Sequence, residues 1–163
     1  MESSEFTAAA GYPFLEKVLS EAISFVPDEV DAAYVEPLFG DGKALTGALA
    51  LLVRGSRLNI ISVEFTGPHR DDEVETFMVS SVPLHDLVVE YRLERSGWSR
   101  DEDVREMSDR AFTGTLRLPT AAGRFGTEIS LPIADPKGFG GRHTQRTRAF
   151  LEDLAGRLSK PST

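Results

Sequence analysis

The stretch ALTGALALLVRGSRLNIISVEFT, residues 44–66, decides how this chain is read. Its first half sets Leu45, Leu49, Leu51 and Val53 at one parity with small residues opposite. That is the two-residue period of a strand with one face on a core. Arg54-Gly55-Ser56 then breaks the pattern as a turn. In the second half Leu58 and Ile60 share one face, whereas Ile61, Val63 and Phe65 share the other. The parity switch at Ile60–Ile61 predicts either a bulge or a strand buried on both faces. Two adjacent strands on a short turn make an antiparallel hairpin, and the remaining segments are placed around it.

Three further alternating segments follow, at 87–94, 112–118 and 126–133. In the first, Leu87, Val89, Tyr91 and Leu93 alternate with Val88, Glu90, Arg92 and Glu94, a strand with one solvated face. In the last, Ile129, Leu131 and Ile133 face in, and Pro132 marks an edge or a strand end. Upstream, residues 32–39 read as a short edge strand because Pro37 has no N–H for a ladder, and Asp41-Gly42 is a hairpin signal. Residues 75–82 form a weaker strand, and Pro83 opens a turn.

Two amphipathic helices flank these strands. Phe14, Leu15, Val18, Leu19, Ala22, Ile23 and Val26 recur at helical spacing between Pro13 and Pro27. Phe150, Leu151, Leu154 and Leu158 make one stripe of a helix over about 144–159. The predicted fold is therefore α+β: a bent antiparallel sheet or partial barrel of about seven strands, with N-terminal and C-terminal amphipathic helices. Residues 12–159 read as a single globular domain between tails at 1–11 and 160–163. Ser99 and Glu102 have capping-box spacing, so 96–111 reads as a short helical insertion.

Residues 34–158 resemble pleckstrin-homology-like domains. The resemblance rests on seven candidate strands, on SSVPLHDLVVEYRL (80–93), where a proline-leucine turn leads into an alternating strand, and on FLEDLAGRL (150–158) as a capping helix. It implies a bent sandwich of seven antiparallel strands capped at one end by the C-terminal helix. The chain departs from the family in four ways, one of them the insertion at 96–111. A helix precedes the first strand, Phe150 stands where eukaryotic versions often carry tryptophan, and the first hairpin offers only Lys43 among acids. The last departure removes the basic pattern that holds phosphoinositides, so the resemblance carries over no ligand residues. The order of helix, strands and helix is also similar to secretion-chaperone-like folds, in which 84–95 would be helical; its strict alternation favours a strand.

Composition narrows the function. The formal net charge is -8, and the chain has no cysteine, which excludes disulfides, thiolate metal sites and a cysteine nucleophile. No apolar run approaches the roughly 18 residues of a membrane span, so no integral membrane segment is expected. MESSEFTAAAG lacks a basic region and reads as no signal peptide, giving a cytoplasmic location. An acidic body repels nucleic acid and anionic membranes at long range, so no nucleic-acid partner is expected.

The candidate site residues are few. Arg142, Arg146 and Arg148 lie in a basic segment beside Gly140-Gly141, where they either hold an anion or pair with the protein's own acids. Trp98, the only tryptophan, either anchors a partner or covers a sheet edge. His69, His85 and His143 have no metal-ligand spacing, and His85-Asp86 reads as a solvated turn rather than a catalytic dyad. The acid clusters Asp71-Asp72-Glu73 with Glu75, and Asp101-Glu102-Asp103, lack the EF-hand pattern. No catalytic residue, metal or cofactor is expected. The leading reading is a non-catalytic binding or adaptor domain for a protein or peptide partner, a basic one by charge. The alternatives are a small anionic ligand or headgroup at the C-terminal arginines, and a secretion-chaperone-like protein.

Overall fold

The computed structural model describes residues 30–39, 45–65, 74–94, 111–134 and 141–159. The hairpin of residues 44–66 is the middle of a four-stranded sheet. Its strands β1 (Ala32–Phe39), β2 (Leu45–Arg54), β3 (Arg57–Phe65) and β4 (Val74–Pro83) pair antiparallel in chain order. A second antiparallel sheet follows, again in chain order: β5 (Val88–Glu94), β6 (Ala111–Arg117) and β7 (Glu128–Ala134). The chain then enters helix α1 (Gly141–Leu158).

The central hairpin closes where Arg54 pairs with Arg57 across Gly55 and Ser56. Gly55 has φ 53°, the left-handed region that glycine enters without a Cβ penalty. Asp31 ties the entry of β1 to this turn. Its N–H donates to the Val53 carbonyl at 2.8 Å, and the Gly55 N–H donates to its Oδ2 at 2.6 Å.

The register of β3 runs unbroken past Ile60 and Ile61, and its irregularity falls at Glu64/Phe65. Every residue from Leu58 to Val63 is buried. The parity switch therefore reflects burial on both faces, not a bulge. β2 behaves likewise: Leu49, Leu51 and Val53 are buried on one face, Ala48, Ala50 and Leu52 on the other.

The core lies between the sheets. Tyr34, Leu49, Leu51, Leu58, Ile60 and Val82 from the first meet Leu116, Ile129 and Leu131 from the second. Phe150, Leu151 and Leu154 of α1 join them, and α1 lies against β7, β1 and a 3-10 turn at Leu84–Asp86. The helix thus closes the sandwich along the β1 and β7 side. The opposite sheet face of α1 is solvated, with Arg148–Glu152 (3.4 Å) and Arg157–Asp153 (2.7 Å) pairing one turn apart.

The expected single bent sheet or partial barrel with two helices is corrected by this arrangement. The seven strands divide into sheets of four and three, and among the described residues the one α-helix is C-terminal. The division falls at Pro83–Leu87. Leu84 N–H makes a last backbone bond to Ser56 O at 2.8 Å, then the 3-10 turn redirects the chain, anchored by buried Leu84 and Leu87. The amphipathic helix read over Phe14–Val26, the tails at 1–11 and 160–163, and nearly all of the 96–111 insertion lie outside the described residues. Among the described residues no helix is long and apolar enough to cross a membrane.

Candidate functional site

Two features stand out, one buried and one exposed. The buried one begins on β1, where Tyr34 and Glu36 are two residues apart and so share a face. That face looks toward α1 and the second sheet. Thr147 Oγ1 donates to the Tyr34 hydroxyl at 3.2 Å, and that hydroxyl donates to Glu36 Oε2 at 3.0 Å. The Tyr34 ring packs on Phe150 at 5.6 Å between centroids. Burial pushes the Tyr34 phenol far above its usual range, and the Glu36 charge adds to this, so the phenol stays a proton donor. Burial also raises the Glu36 carboxyl, while the Tyr34 hydrogen bond and the Arg146 charge pull it back. The array fixes α1 over β1, and its polar atoms answer one another.

Of the expected site residues, Arg146 and Arg148 are described with their side chains. Arg146 sits by this array, where its charge acts on Tyr34 and Glu36. Arg148 points away and pairs with Glu152. The side chain of Arg142, like that of His143, lies outside the described residues, as do Trp98 and His69. The acidic runs 71–73 and 101–103 also lie outside them. His85 and Asp86 do approach, Nε2 to Oδ1 at 3.3 Å, but their side chains are 73% and 44% exposed. The pair is solvated and lies on a turn. Among the described residues no group of three His, Cys, Asp or Glu side chains is placed to hold a metal.

The exposed feature is the outer edge of β4. Of the four sheet edges, α1 lies against β1 and β7. β5 carries Glu90, paired with Arg117 at 3.0 Å, a charge of the kind that ordinarily guards an edge against pairing. β4 has no charge from Thr76 to Pro83, and Phe77 and Met78 are 39% and 47% exposed. Among the described residues nothing pairs with its outer side.

The direction of its backbone groups follows from the register. Leu84 N–H bonds to Ser56 O, on the rung beside the Arg57–Pro83 pair. Alternation along an antiparallel ladder then turns the backbone groups of Thr76, Met78, Ser80 and Val82 toward β3. Those of Phe77, Val79 and Ser81 turn toward the edge. Pro83 falls in the edge-facing set, where its missing N–H costs no rung of the sheet. Arg57 braces this end, with Nε donating to Ser81 Oγ at 2.8 Å and Nη2 to the Ser81 carbonyl at 2.9 Å.

Neighbouring loops support the other end of the edge. The 3-10 turn Gly123–Phe125, between β6 and β7, reaches across to the first sheet. Gly123, at φ 52°, lies against Met78, whose Sδ is 3.1 Å from the place a Cβ would occupy. Arg124 Nη1 reaches Glu64 at 3.6 Å. Met78 is thereby held on one side and open on the other. The sequence signal for this edge was present in the neutral run from Thr76 to Pro83, read only as a weaker strand. The signal for the buried array was Glu36 at the same parity as Tyr34.

No family model matches the chain, and no curated protein or solved structure matches it.

Proposed function

We propose that this protein is a non-catalytic protein-recognition domain on a PH-like scaffold, and that it takes an extended segment of its partner by strand addition along β4. The observation that carries this reading is the unguarded β4 edge: neutral from Thr76 to Pro83, with Phe77 and Met78 exposed beside it. Backbone bonds to Val79 would supply affinity, and the side chains flanking it the choice of partner. The PH-like assignment is supported by seven antiparallel strands in two sheets with a C-terminal helix on one side. The net charge of -8 favours a protein partner over nucleic acid, and a cytoplasmic setting accords with a chain free of cysteine. The anionic-ligand alternative is weakened by the placement of Arg146 near Glu36 and of Arg148 against Glu152.

The test is selection of random peptides on the immobilised protein, with a Val79→Pro variant as counter-screen. Proline removes the central edge-facing N–H and leaves the β3 ladder, to which Val79 does not contribute, intact. Enriched peptides should alternate apolar residues and lose binding to V79P. Peptides that bind V79P as well as they bind the unaltered protein would sink the reading.

A further inference from the structure

We propose that Met78 is an oxidation site that pins the two sheets together, and that conversion of its thioether to the sulfoxide by a peroxide releases the Gly123–Phe125 turn from the first sheet. The pin belongs to the sandwich itself and acts whether or not β4 takes a partner.

Register places the side chain. Met78 pairs with Ser62, in step with Ser80–Ile60 and Val82–Leu58 along the same ladder. Residues two apart on a strand share a face. Leu58, Ile60 and Val82 belong to the core between the sheets, so Met78 looks toward the second sheet. Yet Met78 is 47% exposed, where Val82 on the same face is 3%. It sits at the rim of the sandwich, with one side in contact and the other in water.

The contact is with Gly123. The three atoms nearest to the place of a Gly123 Cβ all belong to Met78: Sδ at 3.1 Å, Cε at 3.6 Å and Cβ at 3.9 Å. The sulfur thus fills the room that the missing side chain leaves. The turn behind it is stiff. Ala122 N–H donates to the Gly126 carbonyl at 2.8 Å, and Phe125 N–H donates to the Ala122 carbonyl at 3.1 Å. Buried Ala122 and part-buried Phe125 root the turn in the core. Arg124 also reaches Glu64 of the first sheet at 3.6 Å, but both side chains are well exposed and such a pair adds little.

The chemistry needs only a peroxide. The chain has three methionines and no cysteine, so thioethers are its only sulfur nucleophiles. The Sδ lone pair takes one oxygen from hydrogen peroxide: an S–O bond forms, the O–O bond breaks and water leaves. Sulfur is oxidised by two electrons and the peroxide is reduced. The product is polar and chiral where the thioether was apolar and pliant. Its oxygen has no room on the Gly123 side, so the sulfoxide has to turn toward water. Sulfur then leaves its seat, and the turn loses its contact with β4. Methionine sulfoxide is reducible by its reductases, so the release is reversible.

Peroxide treatment of the full chain, followed by peptide mapping and thermal unfolding, tests the proposal. Met78 should take up one oxygen, and the thermal midpoint should fall by about 2–4 °C. Amide exchange should quicken at Phe125 and Gly126 and stay unchanged at Leu151 and Leu154 of α1. Methionine sulfoxide reductase should restore both midpoint and exchange. Met78→Leu keeps an apolar side chain of similar size without the sulfur. Its midpoint should not respond to peroxide, although Met1 and Met107 remain. Met78→Gln should show the lowered midpoint with no peroxide present.

A Met78 that stays reduced under peroxide sufficient to convert free methionine overturns the proposal. So does a sulfoxide at Met78 that leaves midpoint and exchange unchanged. An equal loss in Met78→Leu would assign the effect to Met1 or Met107 and overturn it as well. The first comparison is made on the unaltered chain, so it does not depend on either variant folding.

Discussion

The Tyr34 hydroxyl donates to Glu36 Oε2 at 3.0 Å while accepting from Thr147 Oγ1 at 3.2 Å. Donor and acceptor of the first bond are two residues apart on one strand face, and the second bond reaches helix α1. This short polar chain passes through the edge of an otherwise apolar core, and each member depends on the next.

Tyr34→Phe keeps the ring against Phe150 and deletes the central link. It leaves the buried Thr147 hydroxyl without that acceptor and Glu36 without its donor. A loss of about 1–3 kcal/mol is expected. Urea denaturation measures it, and a double-mutant cycle with Thr147→Val should be non-additive. Additivity would show that the two hydroxyls act independently.

Glu36 gives a pH dependence whose sign follows from its burial. The folded chain holds its proton above the ordinary value of 4.5. Below that value both folded and unfolded states are protonated and the group costs nothing. As pH rises through it the unfolded state ionises first, and stability is lost until the folded carboxyl also ionises. Glu36→Gln cannot ionise, so its stability relative to the unaltered chain should improve as pH rises above about 4.5, until the folded carboxyl ionises. A stability difference between the two chains that does not change with pH would contradict the placement of Glu36.

Gly47 of β2 stands where a Cβ would be driven into the Val63 carbonyl of the neighbouring strand. Arg124 Nη1 lies 3.4 Å from the same point, so the side chain above cannot be relieved without disturbing its bridge to Glu64. Backbone has to move to admit even alanine. Gly47→Ala should cost about 1–3 kcal/mol, read as a lowered thermal midpoint. Gly156, with open space around it, is the control; there alanine should stabilise α1 by up to about 1 kcal/mol.

Leu151 and Leu154 are fully buried on the stripe that α1 sets on the core. Truncation of either to alanine should cost about 2–5 kcal/mol, because packed neighbours fill such a cavity only in part. Glu152→Gln, at an exposed pair with Arg148, should change stability by less than about 0.5 kcal/mol. Similar losses at Leu154 and Glu152 would mean that the helix is held otherwise than by its apolar stripe.

The strands were legible because a period of two survives in residues that also fill a core. Expected and observed limits agree closely at 57–65 and 87–94, and Pro37 was rightly placed at an edge, on β1. The division into two sheets was not legible, because alternation shows which residues share a face and says nothing of which strand pairs with which. β4 and β5 flank a three-residue turn and could have formed a hairpin by pattern alone. Tyr91 shows the same limit: it has core parity, yet it stands opposite Gly114 and is 49% exposed. The candidate site was less legible still. For the arginines, spacing left an anion site and internal pairing both open, and the closeness of Arg146 to Glu36, distant in sequence, is not visible in it. The β4 edge is marked by missing charges, a weaker signal than any motif.

The chain-order pairing of both sheets has a consequence for how the molecule assembles. Within each sheet every strand after the first pairs with the strand before it, so loop closure during sheet formation costs little at each step. The Thr147–Tyr34 bond instead joins residues 113 apart, and it forms only when α1 reaches β1 across both sheets. Docking of the helix therefore belongs late in folding. Leu154→Ala should speed unfolding and leave the refolding rate nearly unchanged, whereas Leu51→Ala in the central hairpin should slow refolding, as stopped-flow chevrons would record. A molecule built in this order exposes its sheets before its helix latches, and the interval is when the neutral β4 edge is most open to another chain.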